Sequence, residues 1–190
     1  LCNPGQKFLE VGNHILDVKN HKMEKEAITF FAQGVGSSIT ASELNIFFDF
    51  AISIAKEFKN RTIIIREHPS SSIQTEIRKK LSRINNIKFM SPSEYNLSEV
   101  MSISKIAVSI FSSTLYEALL YGVVPFSFNL NVFSRLNPGL SQMNIGVEVY
   151  NLEEGIMKMN ELLNNKDNYT SFIKNINLSK NRYFHDSGSN

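Results

Sequence analysis

The sequence predicts an α/β protein: a Rossmann-like, doubly wound parallel sheet of about six strands with helices on both faces. Three observations carry that expectation. Short apolar runs alternate along the chain with segments whose apolar residues recur at i, i+3 and i+4. The short runs are continuously apolar, as strands buried on both faces are. The chain has 190 residues, 42% hydrophobic and 20% charged, which suits one domain with a packed core and excludes wholesale disorder. The right-handed crossover rule then selects the doubly wound topology.

Each element can be justified in turn. Residues 27–33 (AITFFAQ) read as the first strand, ending at Gly34. Thr40 and Glu43 form a capping box, in which each side chain satisfies the other's free amide. Leu44, Phe47, Phe48, Ala51, Ile54, Ala55 and Phe58 follow it at helical spacing and mark an amphipathic helix. Residues 62–66 (TIIIR) are the second strand, and a helix carrying Ile73, Ile77, Leu81 and Ile84 on one face comes next. Pro69 is expected to give that helix a defined start. Residues 87–90 are a third strand, closed by Ser91, Pro92 and Ser93, and residues 97–103 a brief helix. Residues 105–111 are a fourth strand, leading into a helix that ends at Tyr121, with Gly122 as its left-handed cap. Residues 123–128 and 146–150 supply two more strands. Leu152, Ile156, Met159 and Leu163 mark a further helix, and the last helix spans about 167–179.

Composition excludes several function classes. No run approaches the ~18 apolar residues of a membrane span. The net charge of +2 does not argue for nucleic acid. Nine of the 20 Lys and Arg lie between Lys56 and Lys88, against Glu57, Glu67 and Glu76, but a solvated helix face explains that run. The single cysteine, Cys2, forms no internal disulfide and fits a reducing compartment; the four histidines have no zinc spacing. No metal site is expected. The chain begins at Leu1 without an initiator Met or a signal-peptide pattern, so it is read as part of a longer protein. The expected division is a lead-in from an N-terminal domain over 1–26, the main domain over 27–182 and a tail over 183–190.

In doubly wound sheets ligands bind beyond the carboxyl ends of the strands. After the first strand come Gly34 and Gly36, with Ser37 and Ser38, leading into the capped helix. Glycines let backbone amides approach an anion, and a helix N-terminus favours negative charge. The segment lacks the third glycine of the dinucleotide fingerprint and the lysine of a P-loop, and it also reads as a plain flexible turn. After the second strand come Arg66, Glu67, His68 and Pro69. Proline holds His68 extended, where its imidazole can donate to a phosphate oxygen or supply a proton, or simply sit on the surface. After the fourth strand, Ser112, Ser113 and Thr114 add three hydroxyls at a helix start, with Glu117 one turn further in. Thr114 and Glu117 equally match a capping box.

Together these residues resemble the C-terminal, nucleotide-sugar-binding half of two-domain GT-B-type glycosyltransferases and related epimerases. The resemblance starts at residues 11–17 (VGNHILD), runs through the glycine turn and His68-Pro69, and continues over residues 112–125 (SSTLYEALLYGVVP). The His-Pro and Ser-Ser pairs are most similar to bacterial sialyltransferases and capsular Kdo- or polysialic-acid-type transferases, which use CMP-sugars. CDP-glycerol-type polymer transferases share a similar serine cluster, and UDP-sugar 2-epimerases a similar fold. The resemblance implies that His68 hydrogen-bonds the donor phosphate and stabilises the leaving CMP. It implies that Ser112, Ser113 and Thr114 bind the same phosphate, that Glu117 binds the ribose, and that Met90, Ser91 and Pro92 meet the base. The implied function is donor binding in a metal-independent glycosyltransferase for surface polysaccharide, without a cofactor. Its partners would be a nucleotide-sugar and a glycan acceptor held mainly by the missing N-terminal domain, which also supplies the catalytic base. Nucleic acid is not an expected partner. A cytoplasmic location at the inner face of the plasma membrane is expected for the full-length protein, and this chain alone should bind donor without turning it over. A non-catalytic Rossmann-like interaction module is the alternative of another class.

Overall fold

The structure, a computed structural model, describes residues 25–36, 39–110, 112–130 and 139–183, with side chains described as far as Ser179. The expected lead-in motif at 11–17, together with Ser37, Ser38 and the tail from 184, lies outside the described residues. Twelve elements follow in order: β1 (Ala27–Phe31), α1 (Ala41–Glu57), β2 (Ile63–Arg66), α2 (Thr75–Ser82), β3 (Ile87–Met90), α3 (Leu97–Ile103), β4 (Ser104–Ser109), α4 (Thr114–Leu120), β5 (Val124–Phe128), β6 (Val147–Val149), α5 (Leu152–Asn164) and α6 (Lys166–Tyr183). The strands form one parallel sheet in the order β3-β2-β1-β4-β5-β6.

That order follows from the sequence pattern. β1, β2 and β5 are buried along their whole length, which requires cover on both faces. Right-handed crossovers put α1 and α2 on one face; the chain then reverses direction at β3, so α3 and α4 cover the other. α5 packs against α1, and α6 crosses back to pack against α4 and β5.

The core on the α1 face is aromatic. Phe30 meets Phe47 and Phe50 edge-on at 5.5 and 5.6 Å, and Phe50 stacks on Phe128 at 4.7 Å. These geometries add to the gain from burial alone. Helical spacing from Leu44 to Phe58 omits Phe50 and Ile52, yet both are buried, because helices flank α1 on either side of its sheet-facing stripe: α5 packs on the Phe50 side, and α2 also contacts α1. Gly155 lets α5 come that close: a Cβ there would lie 3.1 Å from the Phe50 ring.

Local signals hold at several ends. The Thr40–Glu43 capping box forms, with Thr40 N donating to Glu43 at 2.7 Å and Glu43 N to Thr40 Oγ1 at 3.2 Å. A second box, Asn96–Glu99, opens α3. Gly122 adopts φ 62°, and Gly122 N and Val123 N donate to Leu119 O and Ala118 O, which is a Schellman closure of α4. At the end of α1, the Asn86 side-chain amide donates to the carbonyls of Ala55, Phe58 and Arg61 at 2.9, 3.1 and 3.0 Å. The two amide hydrogens of one side chain are thus shared among three carbonyls at the helix end and its turn, of which Phe58 O also accepts from Arg61 N.

Two expectations are corrected. Pro69 does not start a helix: residues 68–71 make a tight turn, in which Ser71 N donates back to His68 O, and α2 begins six residues after the proline, at Thr75. Thr114 and Glu117 do not form a capping box. Ser113 already has helical backbone angles and makes no side-chain cap, so Thr114 is the first helical residue and Glu117 is one position too deep.

Candidate functional site

β1 and β4 are neighbours in the sheet, but the chain leaves β1 toward one edge and β4 toward the other. A crevice therefore opens between their carboxyl ends, where open α/β sheets take ligands. Its floor is closed by Ser109, whose buried hydroxyl donates to the Phe31 carbonyl at 3.0 Å. Three adjacent strand ends, β2, β1 and β4, surround it with residues that the sequence singles out.

The loop after β1 is tied to its neighbour. Ala32 N donates to Arg66 O at 2.9 Å, and a Cβ on Gly34 would fall 2.8 Å from both Cβ and Oγ of Ser71. Gly34 is glycine because the turn carrying His68 rests directly on it. Gly36 differs: it has no positive φ, and a Cβ there would meet no atom within 4 Å, so its backbone faces open space.

His68 and Pro69 are exposed at the carboxyl end of β2. The Ser70 backbone amide donates to His68 Nδ1 at 3.2 Å, and the Ser70 hydroxyl lies 2.8 Å from the same nitrogen. The rest of the loop is fixed by Glu67, which accepts from Ile73 N at 3.1 Å and pairs with Arg78 at 2.8 Å. Arg66, by contrast, is 7% exposed and donates to the Tyr95 carbonyl at 2.8 Å. Burial pulls its pKa down, with Glu99 opposing, so its contacts make it an anchor for the loop after β3.

At the end of β4, Ser112 Oγ accepts from Thr114 N at 3.1 Å. Ser113 is exposed, and Ser112 and Thr114 are half-buried. Glu117 is half-buried on α4, and burial raises its carboxyl above the ordinary range. Burial raises the Tyr121 hydroxyl as well, opposed by a hydrogen bond with Ser98 and helped by the charge of Glu117.

Met90, Ser91 and Pro92 sit apart from this group. They end β3, the edge strand, about 14 Å across the sheet from β4 at ordinary strand spacing. The Ser91 and Ser93 hydroxyls bond to each other at 2.6 Å, and Ser91 O accepts from Glu94 N and Tyr95 N, making a self-contained turn.

On the other flank is a polar group that sequence reasoning misses. Buried Ser127 donates to Asn129 Oδ1 at 2.8 Å, and Glu148 accepts from Asn129 Nδ2 at 3.4 Å and from Ser141 N at 3.1 Å. Tyr116, raised by burial and then by Glu148, borders the group. The available signal is the pair of polar residues Ser127 and Asn129 at alternating positions in an apolar strand.

An open depression of about 550 Å³ lies round Lys56–Arg61, at the amino edge where α1 ends, away from this crevice. It is formed by one helix end and its own turn and gathers no chemistry. Among the described residues no group of three or more His, Cys, Asp or Glu side chains converges as a metal site, and no helix is long and apolar enough to cross a membrane.

Sheet order, crevice and loop placement define one Rossmann-like half of the GT-B architecture. Solved structures with this fold include UDP-GlcNAc 2-epimerase from Neisseria meningitidis bound to UDP-GlcNAc (TM-score 0.61, 16% identity, 89% of this chain and 45% of that one). The glycosyltransferase WaaG, involved in lipopolysaccharide biosynthesis, gives a TM-score of 0.57 at 14% identity over 94% of this chain and 47% of its own. The wall teichoic acid polymerase TagF gives 0.56 at 17% identity, over 94% and 43%. At these identities the likeness is one of fold, and the chain spans less than half the length of each. No protein-family model matches the sequence, and no curated protein matches it either.

Proposed function

We propose that this chain is the donor-binding half of a metal-independent GT-B-type glycosyltransferase acting in surface polysaccharide synthesis, with a pyrimidine nucleotide-sugar as donor. The observation that carries the reading is that the Gly34 turn, His68 and Ser112–Thr114 follow the carboxyl ends of β1, β2 and β4, three adjacent strands at the switch point of the sheet. A CMP-sugar is the donor suggested by the His-Pro and Ser-Ser pairs. Neighbours whose structures hold UDP-GlcNAc or UDP make a uridine nucleotide the other pyrimidine to test.

The chemistry is coherent. Glycosyl transfer builds negative charge on the departing nucleotide phosphate, so fixed donors aimed there lower the barrier without a metal. His68, with Nδ1 already accepting from Ser70, has Nε2–H to give. Ser112 and Ser113, two strands away at the end of β4, would supply hydroxyls to the same phosphate, and Glu117 would accept from the ribose. Met90, Ser91 and Pro92 would meet the far end of the nucleotide, and Arg66 would serve through the loop it anchors. The segment 1–26 would lead in from the half that holds the acceptor and the catalytic base.

Calorimetry of the folded domain with CMP, UDP, CDP and GDP tests the reading: a pyrimidine nucleotide should bind. Binding by none of them removes the reading and favours a non-catalytic interaction module. His68→Ala should weaken the nucleotide while leaving the melting temperature within about a degree or two, since exposed substitutions cost little. Equal affinity in variant and parent takes His68 out of the site. The epimerase neighbours favour a second reading, half of a UDP-sugar 2-epimerase. Deuterium incorporation at C2 of UDP-GlcNAc in D₂O by the full-length protein would establish it.

A further inference from the structure

The histidine at the end of β2 is held by an unusual amount of local structure for an exposed side chain. Its own carbonyl accepts from Ser71 N at 3.1 Å, and Ser71 rests on Gly34 of the neighbouring loop. Glu67, on its other side, is fixed by Ile73 N and Arg78. Within that frame Ser70 hydrogen-bonds the ring. The Ser70 amide hydrogen points at Nδ1 from 3.2 Å, and the Ser70 hydroxyl lies 2.8 Å from the same nitrogen. A backbone amide can only donate, so it occupies the Nδ1 lone pair, and a proton on Nδ1 would meet it head-on.

We infer that Ser70 is a positioning residue: it fixes His68 in the Nε2–H form and turns that single donor outward, so that anion binding at the crevice depends on Ser70 through His68. Ser70 itself need not touch the ligand. The sequence marks His68 and Pro69 but gives no reason to separate Ser70 from Ser71 and Ser72. Only the ring contact does. The proline contributes by making the turn that brings residue 70 back beneath residue 68.

The inference rests on the donor-binding reading for its functional half and on geometry alone for its structural half, so its test has two arms. Long-range ¹H–¹⁵N spectra of the imidazoles, recorded without ligand above the histidine titration range, should show His68 Nδ1 as the unprotonated nitrogen in the parent. Ser70→Ala keeps the amide and loses only the hydroxyl contact, so Nδ1 should stay unprotonated while the ring is held less firmly and its shifts average, and Ser70→Thr, which keeps the hydroxyl, should restore the parent pattern. A protonated Nδ1 in the parent, or a spectrum indifferent to Ser70→Ala, overturns the inference whether or not any nucleotide binds. The second arm is a double-mutant cycle read by calorimetry with CMP and UDP. Ser70→Ala should weaken whichever nucleotide binds by about three- to ten-fold, the worth of one hydrogen bond, and should have no effect in a His68→Ala background. An equal loss in both backgrounds overturns the positioning role and makes Ser70 a direct contact. Failure of both nucleotides to bind the parent refutes the donor-binding reading instead, and the spectra still decide the tautomer.

Discussion

Replacing Gly34 by alanine should damage nucleotide binding more than it damages stability, because the strain falls on the turn that carries His68. The new Cβ would sit 2.8 Å from Ser71 Cβ and Oγ, about 0.6 Å inside the shortest ordinary carbon contact. The hydroxyl could rotate away, but the Ser71 Cβ is fixed to the backbone and moves only with residues 68–71. Overpacking of this kind costs on the order of 1–3 kcal/mol. Part is offset by the roughly 0.4–1 kcal/mol that Gly→Ala gains through the unfolded chain. A net loss of about 0.5–2 kcal/mol is therefore expected in urea unfolding, with unchanged slope. Calorimetry on the same variant should show at least a ten-fold loss of affinity. Ser71→Gly removes the opposing atoms, so the double variant should recover most of the affinity. If Gly34→Ala binds as the parent does, or if Ser71→Gly fails to rescue it, the loops after β1 and β2 are not coupled through this contact.

Gly36→Ala is the matched control for stability, because open space surrounds the added carbon. Its melting temperature should equal or slightly exceed the parent's, while nucleotide affinity falls if the ligand approaches that backbone. Asn86→Ala should cost about 1–3 kcal/mol, seen as a lower urea midpoint, because the carbonyls of Ala55 and Arg61 lose a donor and that of Phe58 keeps only Arg61 N. Glu117 gives a pH signature. Burial raises its folded pKa above the unfolded value, so the folded state binds more protons between the two. Stability should fall as pH rises from the ordinary glutamate value through the raised one. Melting curves of Glu117→Gln should lack that component, whereas parallel curves for variant and parent would contradict it.

Much of the fold is legible in the sequence because its strands need burial on both faces. Unbroken apolar runs such as residues 63–65 can satisfy that in few ways. Helix ends written in short-range code, such as Thr40–Glu43 and Gly122, are legible for the same reason: their partners lie within a few residues. The errors begin where partners are distant. Pro69 looks like a helix start until Ser71 is seen turned back onto His68 and seated on Gly34, a contact thirty-seven positions away in the chain. The anchoring of the loop after β3 by Arg66 is likewise invisible until the Tyr95 carbonyl, 29 positions on, is found within its reach. The group of Ser127, Asn129 and Glu148 carries only a faint local signal, the alternation of Ser127 and Asn129, which gains meaning only when the strand bearing Glu148 is laid beside it.

The bond from Ser109 to the Phe31 carbonyl spans 78 residues of chain, and that separation governs how the domain assembles. β1, β2 and β3 can pair as soon as they are made, but the crevice has only one wall until β4 arrives. Until then β1 offers an unpaired, largely apolar edge to any other strand nearby, a recognised route to aggregation. Pairing at such separation is also slow, because the loop must close before the contact rewards it. A fragment truncated before residue 104 would therefore be insoluble as well as unable to bind. Solubility on expression is thus set by the same strand pair that forms the crevice.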